Sequence, residues 1–62
     1  MNSENKYDTI YANYVNGNIS DFKKYIKKMS APKWREFINY ISEIYGEENA
    51  KQIVKSVSNY TF

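Results

Sequence analysis

A chain of 62 residues without cysteine or histidine can form one small domain, but it lacks the ligands of a typical structural zinc site and the residues that form disulfides. Nine basic and seven acidic residues leave a formal charge of +2, which argues against an acidic mimic of DNA. The polar N-terminus and the absence of a long apolar run predict neither a signal peptide nor a membrane span. We therefore expect one cytoplasmic domain over residues 1–62, with no cofactor and no metal.

The spacing of the apolar side chains predicts an all-α fold, a compact bundle of about four short helices. Apolar residues recur at intervals of three and four positions, which places them on one face of a helix. The predicted helices cover residues 6–15, 19–29, 31–45 and 47–58, and residues 1–5 are expected to be disordered. Because the connections are short, the helices must share one core, with the third helix at its centre. Three side chains of that helix are expected to tolerate truncation least: Trp34, Phe37 and Ile41.

Polar residues and glycines mark the predicted helix ends. Asn16-Gly17 is expected to end the first helix, and the side chain of Asn18 is expected to cap the second. Ser30 is predicted to cap the third helix, whose first turn tolerates Pro32. Gly46 is expected to close the third helix in the left-handed conformation.

No catalytic motif accompanies these helices. The chain has no histidine, no cysteine and no glycine-rich phosphate loop, and its carboxylates show no pairing beyond helix-end and surface positions. A bundle of this size also has little volume for a substrate pocket. The sequence therefore predicts a protein that is not an enzyme.

A cationic arc on the second helix is the polar feature that most clearly suggests a function. Four lysines lie opposite the apolar side of that helix, and two further cations begin the next; the set is Lys23, Lys24, Lys27, Lys28, Lys33 and Arg35. The preferred interpretation is a solvated face that keeps a small protein soluble. The alternative is a surface for phosphates or for an acidic protein, and an interfacial membrane helix is the weakest interpretation.

The second and third helices could also form a helix-turn-helix that reads DNA. In that motif Lys33, Arg35 and Asn39 would contact base edges. Glu36 and Glu43 on the same helix would repel phosphates, and the turn lacks the usual glycine. Sequence-specific DNA binding is therefore a weaker prediction than protein binding.

Seven tyrosines are many for a chain of this length. Tyr7, Tyr11 and Tyr14 lie along one side of the first helix, where they can either pack on the core of the same chain or form an aromatic ridge for a partner. Further candidates for the rim of an interface are Tyr25, Tyr40, Tyr60 and Phe62. Because a thin core without disulfides or metals needs additional apolar burial, we expect a homodimer, with the aromatic ridge as the first choice of contact surface.

The run from Tyr14 to Lys23, the following Lys27-Lys28-Met29-Ser30, and Trp34, Phe37, Ile38 and Tyr40 resemble small accessory proteins of phages and mobile elements of Gram-positive bacteria. The resemblance covers about residues 11–45 and carries over no site residue. It implies a phage- or plasmid-encoded inhibitor of a host protein in the bacterial cytoplasm, including proteins of antiviral defence. The alternative is a small nucleic-acid-binding or regulatory protein that uses the lysine-rich second helix.

Overall fold

The computed structural model describes residues 6–59, and over this range the chain forms four α-helices and no strand. The helices are α1 (Lys6–Val15), α2 (Ile19–Lys28), α3 (Ala31–Tyr45) and α4 (Glu47–Ser58). The predicted all-α fold is confirmed, and α2 ends one residue before its predicted end. The disorder expected for residues 1–5 concerns a segment outside the described residues.

A Schellman motif joins α1 to α2, as the Asn-Gly pair indicated. The backbone N–H of Asn18 donates to the carbonyl of Asn13 at 2.8 Å, and the N–H of Gly17 donates to the carbonyl of Tyr14 at 3.2 Å. Gly17 has a φ of 81°, which a glycine adopts at little cost. The turn therefore satisfies two carbonyls at the end of α1 and reverses the chain into α2.

The predicted side-chain cap by Asn18 is wrong. Asn18 occupies the N-cap position, but its side chain accepts no backbone hydrogen bond. Its amide nitrogen instead donates to Oδ2 of Asp21 at 2.9 Å and to Oδ1 of Asn13 at 3.2 Å. The side chain acts as a donor because a carboxylate three residues ahead and an amide oxygen behind it both offer acceptors.

Ser30 caps α3 as predicted, whereas Gly46 departs from its predicted conformation. The hydroxyl of Ser30 accepts from the backbone N–H of Lys33 at 3.4 Å. Gly46 has φ 106° and ψ 147°, so its φ is positive as predicted, but its ψ lies outside the left-handed helical region. As the single residue between two helices it must also serve as the N-cap of α4, and its carbonyl accepts from the N–H of Ala50 at 3.2 Å. The ψ of an N-cap is typically in the β region, and glycine alone readily combines this with a positive φ.

All four helices contribute to a single core. The buried side chains are Ile10, Phe22, Ile26, Phe37, Ile41, Ala50 and Ile53. α3 packs against both α4 and α1, and α1 packs against both α3 and α2, so these two helices share the middle position that the sequence predicted for α3 alone. Phe37 and Ile41 are fully buried, whereas Trp34 is half-buried at the edge of the core with its ring centroid 5.8 Å from that of Phe37.

The apolar stripes are wider than the faces that the neighbouring helices cover. Ile44 at the end of α3 is 57% exposed and Val54 on α4 is 41% exposed, although both continue the helical spacing of the core. Helical spacing thus predicts which side of a helix faces inward, but it does not predict which residues of that side the neighbouring helices cover.

Two isoleucines of α3 provide a matched test of this packing. We expect Ile41→Ala to lower the free energy of unfolding by about 2–5 kcal/mol, because it removes buried apolar surface and leaves a cavity. Ile44→Ala should change it by no more than about 0.5 kcal/mol, because the side chain is largely in solvent. Urea denaturation followed by circular dichroism measures both. If Ile41→Ala unfolds the domain, Ile41→Val should still lower the stability measurably. Equal effects at the two positions would contradict the described core.

Candidate protein-binding surface

Tyr7 connects the first turn of α1 to α3 through both its ring and its hydroxyl. Its ring centroid lies 5.5 Å from that of Phe37, in an edge-on arrangement, and 5.8 Å from that of Tyr40. Its hydroxyl donates to Oε1 of Glu36 at 2.6 Å. This hydrogen bond is the main reason that the pKa of Tyr7 is raised to about 12, and partial burial and the negative charge of Glu36 add to the shift.

Asp8 accepts two tyrosine hydroxyls from α3 on one carboxylate oxygen. The hydroxyls of Tyr40 and Tyr45 both lie 2.8 Å from Oδ1 of Asp8. The hydrogen bond to this carboxylate, followed by desolvation and charge repulsion, raises the pKa of Tyr40 and raises that of Tyr45 to about 12. Since the tyrosines are five positions apart on α3, Asp8 fixes α1 along more than one turn of that helix.

The other two tyrosines of the aromatic ridge also pack within the chain. The ring of Tyr11 stacks on that of Tyr45 with centroids 4.2 Å apart, and the ring of Tyr14 lies 5.0 Å from that of Phe22. The hydroxyl of Tyr14 is hydrogen-bonded to Oγ of Ser56 on α4 at 3.0 Å. The three tyrosines of the aromatic ridge therefore pack against the core of their own chain. That the ridge also forms a dimer surface stays a prediction.

The cations of the basic face differ in their exposure and in their charged neighbours. Lys24, Lys27 and Lys28 are exposed on α2, whereas Lys23 is half-buried next to the apolar side of that helix. Arg35 is exposed on α3. Two of the lysines have carboxylate neighbours on their own helix: Nζ of Lys24 lies 3.9 Å from Oδ1 of Asp21, and Nζ of Lys33 lies 3.7 Å from Oε1 of Glu36.

Several of the tyrosines and lysines that the sequence analysis identified line one groove, whose volume is about 820 Å³. The start of α1, the end of α2 and the first half of α3 form it. Its apolar and aromatic lining consists of Tyr7, Ile10, Tyr25, Met29 and Tyr40, and its charged lining consists of Lys6, Lys28, Lys33 and Glu36. Two further depressions, of about 340 Å³ beside Trp34 and about 380 Å³ between α3 and α4, are less than half as large.

Three groups that organise this surface were not identified from the sequence. In the sequence, nothing distinguishes Asp8 and Glu36 from other surface carboxylates, and Tyr45 only continues the apolar spacing of α3. Their partners lie 29 to 37 residues away along the chain, so no local spacing reports them. Tyr60 and Phe62, which were predicted to lie at an interface, are outside the described residues.

Over residues 6–59, no cluster of acidic side chains is arranged to hold a metal ion. Within the same range, each helix falls short of the length and apolar character that a bilayer crossing requires.

The tyrosine hydroxyls predict a loss of stability at high pH. Folded Tyr7 and Tyr45 keep their protons to about pH 12, whereas an unfolded tyrosine ionises near its ordinary pKa of 10.0. The contribution of these groups should be complete below pH 10 and should disappear as the pH rises from 10 to 12.

Urea unfolding at a series of pH values, together with tyrosinate absorbance, measures this loss. Tyr45→Phe removes one of the three hydroxyls whose pKa is raised and keeps the ring that stacks on Tyr11, so its stability should fall less steeply with pH over the same window. A slope equal to that of the unsubstituted protein would contradict the role assigned to the Tyr45 hydroxyl.

Comparisons of this chain with models of protein families, with curated proteins and with solved structures find no match. The resemblance to small phage and mobile-element proteins consequently stays a prediction from the sequence.

Proposed function

We propose that this chain is a non-catalytic protein-binding protein and that the groove between α1, α2 and α3 is its binding surface. The observation that carries the proposal is the convergence of three tyrosines and a methionine from three different helices on one concave surface. Tyrosine and methionine are enriched at protein interfaces, where the tyrosine ring buries apolar area while its hydroxyl remains hydrogen-bonded.

Tyr25 is the strongest candidate for an anchor of this surface. It is 39% exposed at the edge of the groove, next to Met29 at the end of α2. Tyr7 and Tyr40 lie deeper and are held by carboxylates of neighbouring helices, so their rings are already fixed before a partner arrives. A preformed aromatic surface lowers the entropic cost of binding.

A phage- or plasmid-encoded inhibitor of a host protein, including a protein of antiviral defence, is the biological role that fits this proposal. Its support is the resemblance of residues 11–45 to small accessory proteins of Gram-positive phages, together with a surface suited to a protein partner. Such a role would take place in the host cytoplasm. Blocking a host protein requires only a stable interface and no chemistry at the site.

Homodimerisation is a second element of the proposal. Over residues 6–59, seven buried side chains form a thin core, and apolar side chains such as Ile44 and Val54 remain on the surface. Pairing would cover some of this area. Sedimentation equilibrium at micromolar concentration distinguishes the assembly from a monomer of 7.4 kDa.

Nucleic-acid binding is the alternative function, and the exposed lysines of α2 favour it. Lys24 and Lys27 lie on solvent-exposed positions where they could approach a phosphate backbone. Binding of this kind should weaken steeply with salt and should be lost in Lys24→Gln with Lys27→Gln, two residues that do not line the groove.

The groove is tested by selecting ligands from a displayed library of random short peptides. We expect peptides to be enriched and to bind less tightly to Tyr25→Ala by about tenfold or more, as for an interface hot spot. Val54→Ala is the matched control, because it removes a similarly exposed apolar side chain that does not line the groove. Isothermal titration calorimetry measures affinity, and a thermal melt verifies folding. Peptides that bind Tyr25→Ala as tightly as the unsubstituted protein would contradict the proposal.

A further inference from the structure

The charge of the groove is unbalanced. Among residues 6–59, its charged lining consists of Lys6, Lys28 and Lys33 and one carboxylate, that of Glu36. That carboxylate already has two partners: its Oε1 accepts a hydrogen bond from the hydroxyl of Tyr7 at 2.6 Å and lies 3.7 Å from Nζ of Lys33. Within residues 6–59, neither Lys6 nor Lys28 forms an ion pair. The groove therefore presents positive charge beside an apolar, aromatic surface.

The position of Lys33 is unfavourable for the helix that carries it. Ser30 is the N-cap of α3 and accepts from the N–H of Lys33, so Lys33 occupies the third position of the helix. A glutamate or glutamine at this position would complete a capping box, and a cation there opposes the helix dipole. The first turn of α3 contains no acidic residue. The ion pair of Lys33 with Glu36, at 3.7 Å, is exposed and contributes little, so a binding role for Lys33 is consistent with its position at the groove.

We infer that the partner of this groove is an acidic protein segment that carries at least one large apolar side chain. The apolar side chain would pack against Tyr25 and Met29. Aspartates or glutamates beside it would pair with Lys28 and would compete with Glu36 for the exposed ammonium group of Lys33. Complementary charge at such a site accelerates association and selects among partners. The inference rests on the proposed function and adds to it the chemical class of the partner.

The experiment compares two pairs of substitutions that change the net charge equally. Lys28→Gln with Lys33→Gln removes two positive charges from the groove, and Lys51→Gln with Lys55→Gln removes two exposed positive charges from α4. Glutamine at position 33 is compatible with a capping box, so the groove variant should remain folded. Thermal melts verify the folding of both variants.

The probes are the peptides enriched from the random library by the unsubstituted protein, together with an unrelated DNA duplex. We expect the enriched peptides to carry an excess of aspartate and glutamate around an aromatic or large aliphatic residue. Their affinity should fall about tenfold or more in the groove variant and should change less than about twofold in the α4 variant. The difference should shrink as salt is added.

Each other outcome overturns the inference in a recognisable way. Peptides that depend on Tyr25 but have no excess of acidic residues, and that bind the groove variant normally, would overturn the acidic partner and leave the proposed function standing. A selection that yields no Tyr25-dependent peptide would overturn both. Displacement of the peptides by the DNA duplex, with equal loss in Lys24→Gln with Lys27→Gln, would replace the acidic segment with a nucleic acid.

Discussion

The attachment of α1 to α3 by tyrosine hydroxyls is the interaction on which the rest of this structure depends. Ile10 is the one residue of α1 that is buried in the core, and the half-buried rings of Tyr7, Tyr11 and Tyr14 pack around it. Asp8 adds polar connections to α3 by accepting the hydroxyls of Tyr40 and Tyr45, and Tyr7 adds a third through Glu36. Hydrogen bonds to carboxylates are stronger than those between neutral groups. A chain with a thin core and no disulfide is thereby stabilised through its half-buried aromatic residues.

The same contacts prepare the surface that we assign to binding. Tyr7 and Tyr40 line the groove, and each is held by a carboxylate of another helix. Their rings also lie 5.8 Å from each other, so neither can turn away without disturbing its neighbour. α1 forms one side of the groove, and its loss from the bundle would remove that side. If the groove binds a partner as we propose, its stability and its binding should therefore be coupled through the first turns of α1. The lysines that line the groove are exposed, so they contribute little to the fold.

The sequence predicted the helices well because their determinants are local. Apolar spacing located all four helices, and Ser30 and Gly17 marked ends that depend on a few adjacent residues. The predicted side-chain cap by Asn18 and the predicted conformation of Gly46 were incorrect. The amide of Asn18 donates to two side chains, and Gly46 both ends α3 and begins α4. The candidate site was predicted only in part. Tyr7, Tyr40, Lys28 and Lys33 were each identified, but as members of two separate surfaces. Their meeting in one groove depends on the packing of α1 against α3, which no local pattern reports.

A double-mutant cycle between Asp8 and Tyr45 tests this attachment most directly. Asp8→Ala removes the acceptor of the hydrogen bond, and Tyr45→Phe removes its donor. The cycle isolates the energy of the interaction between the two residues, because it cancels the separate effects of each substitution, such as the loss of the favourable charge of Asp8 near the start of α1. Because Tyr45 is 37% exposed, solvent screens the bond, and we expect a coupling of about 0.5–1 kcal/mol, below the value for a buried bond to a charged group. Urea denaturation near neutral pH measures all four proteins. A coupling in this range would support the account, and losses that simply add would contradict it.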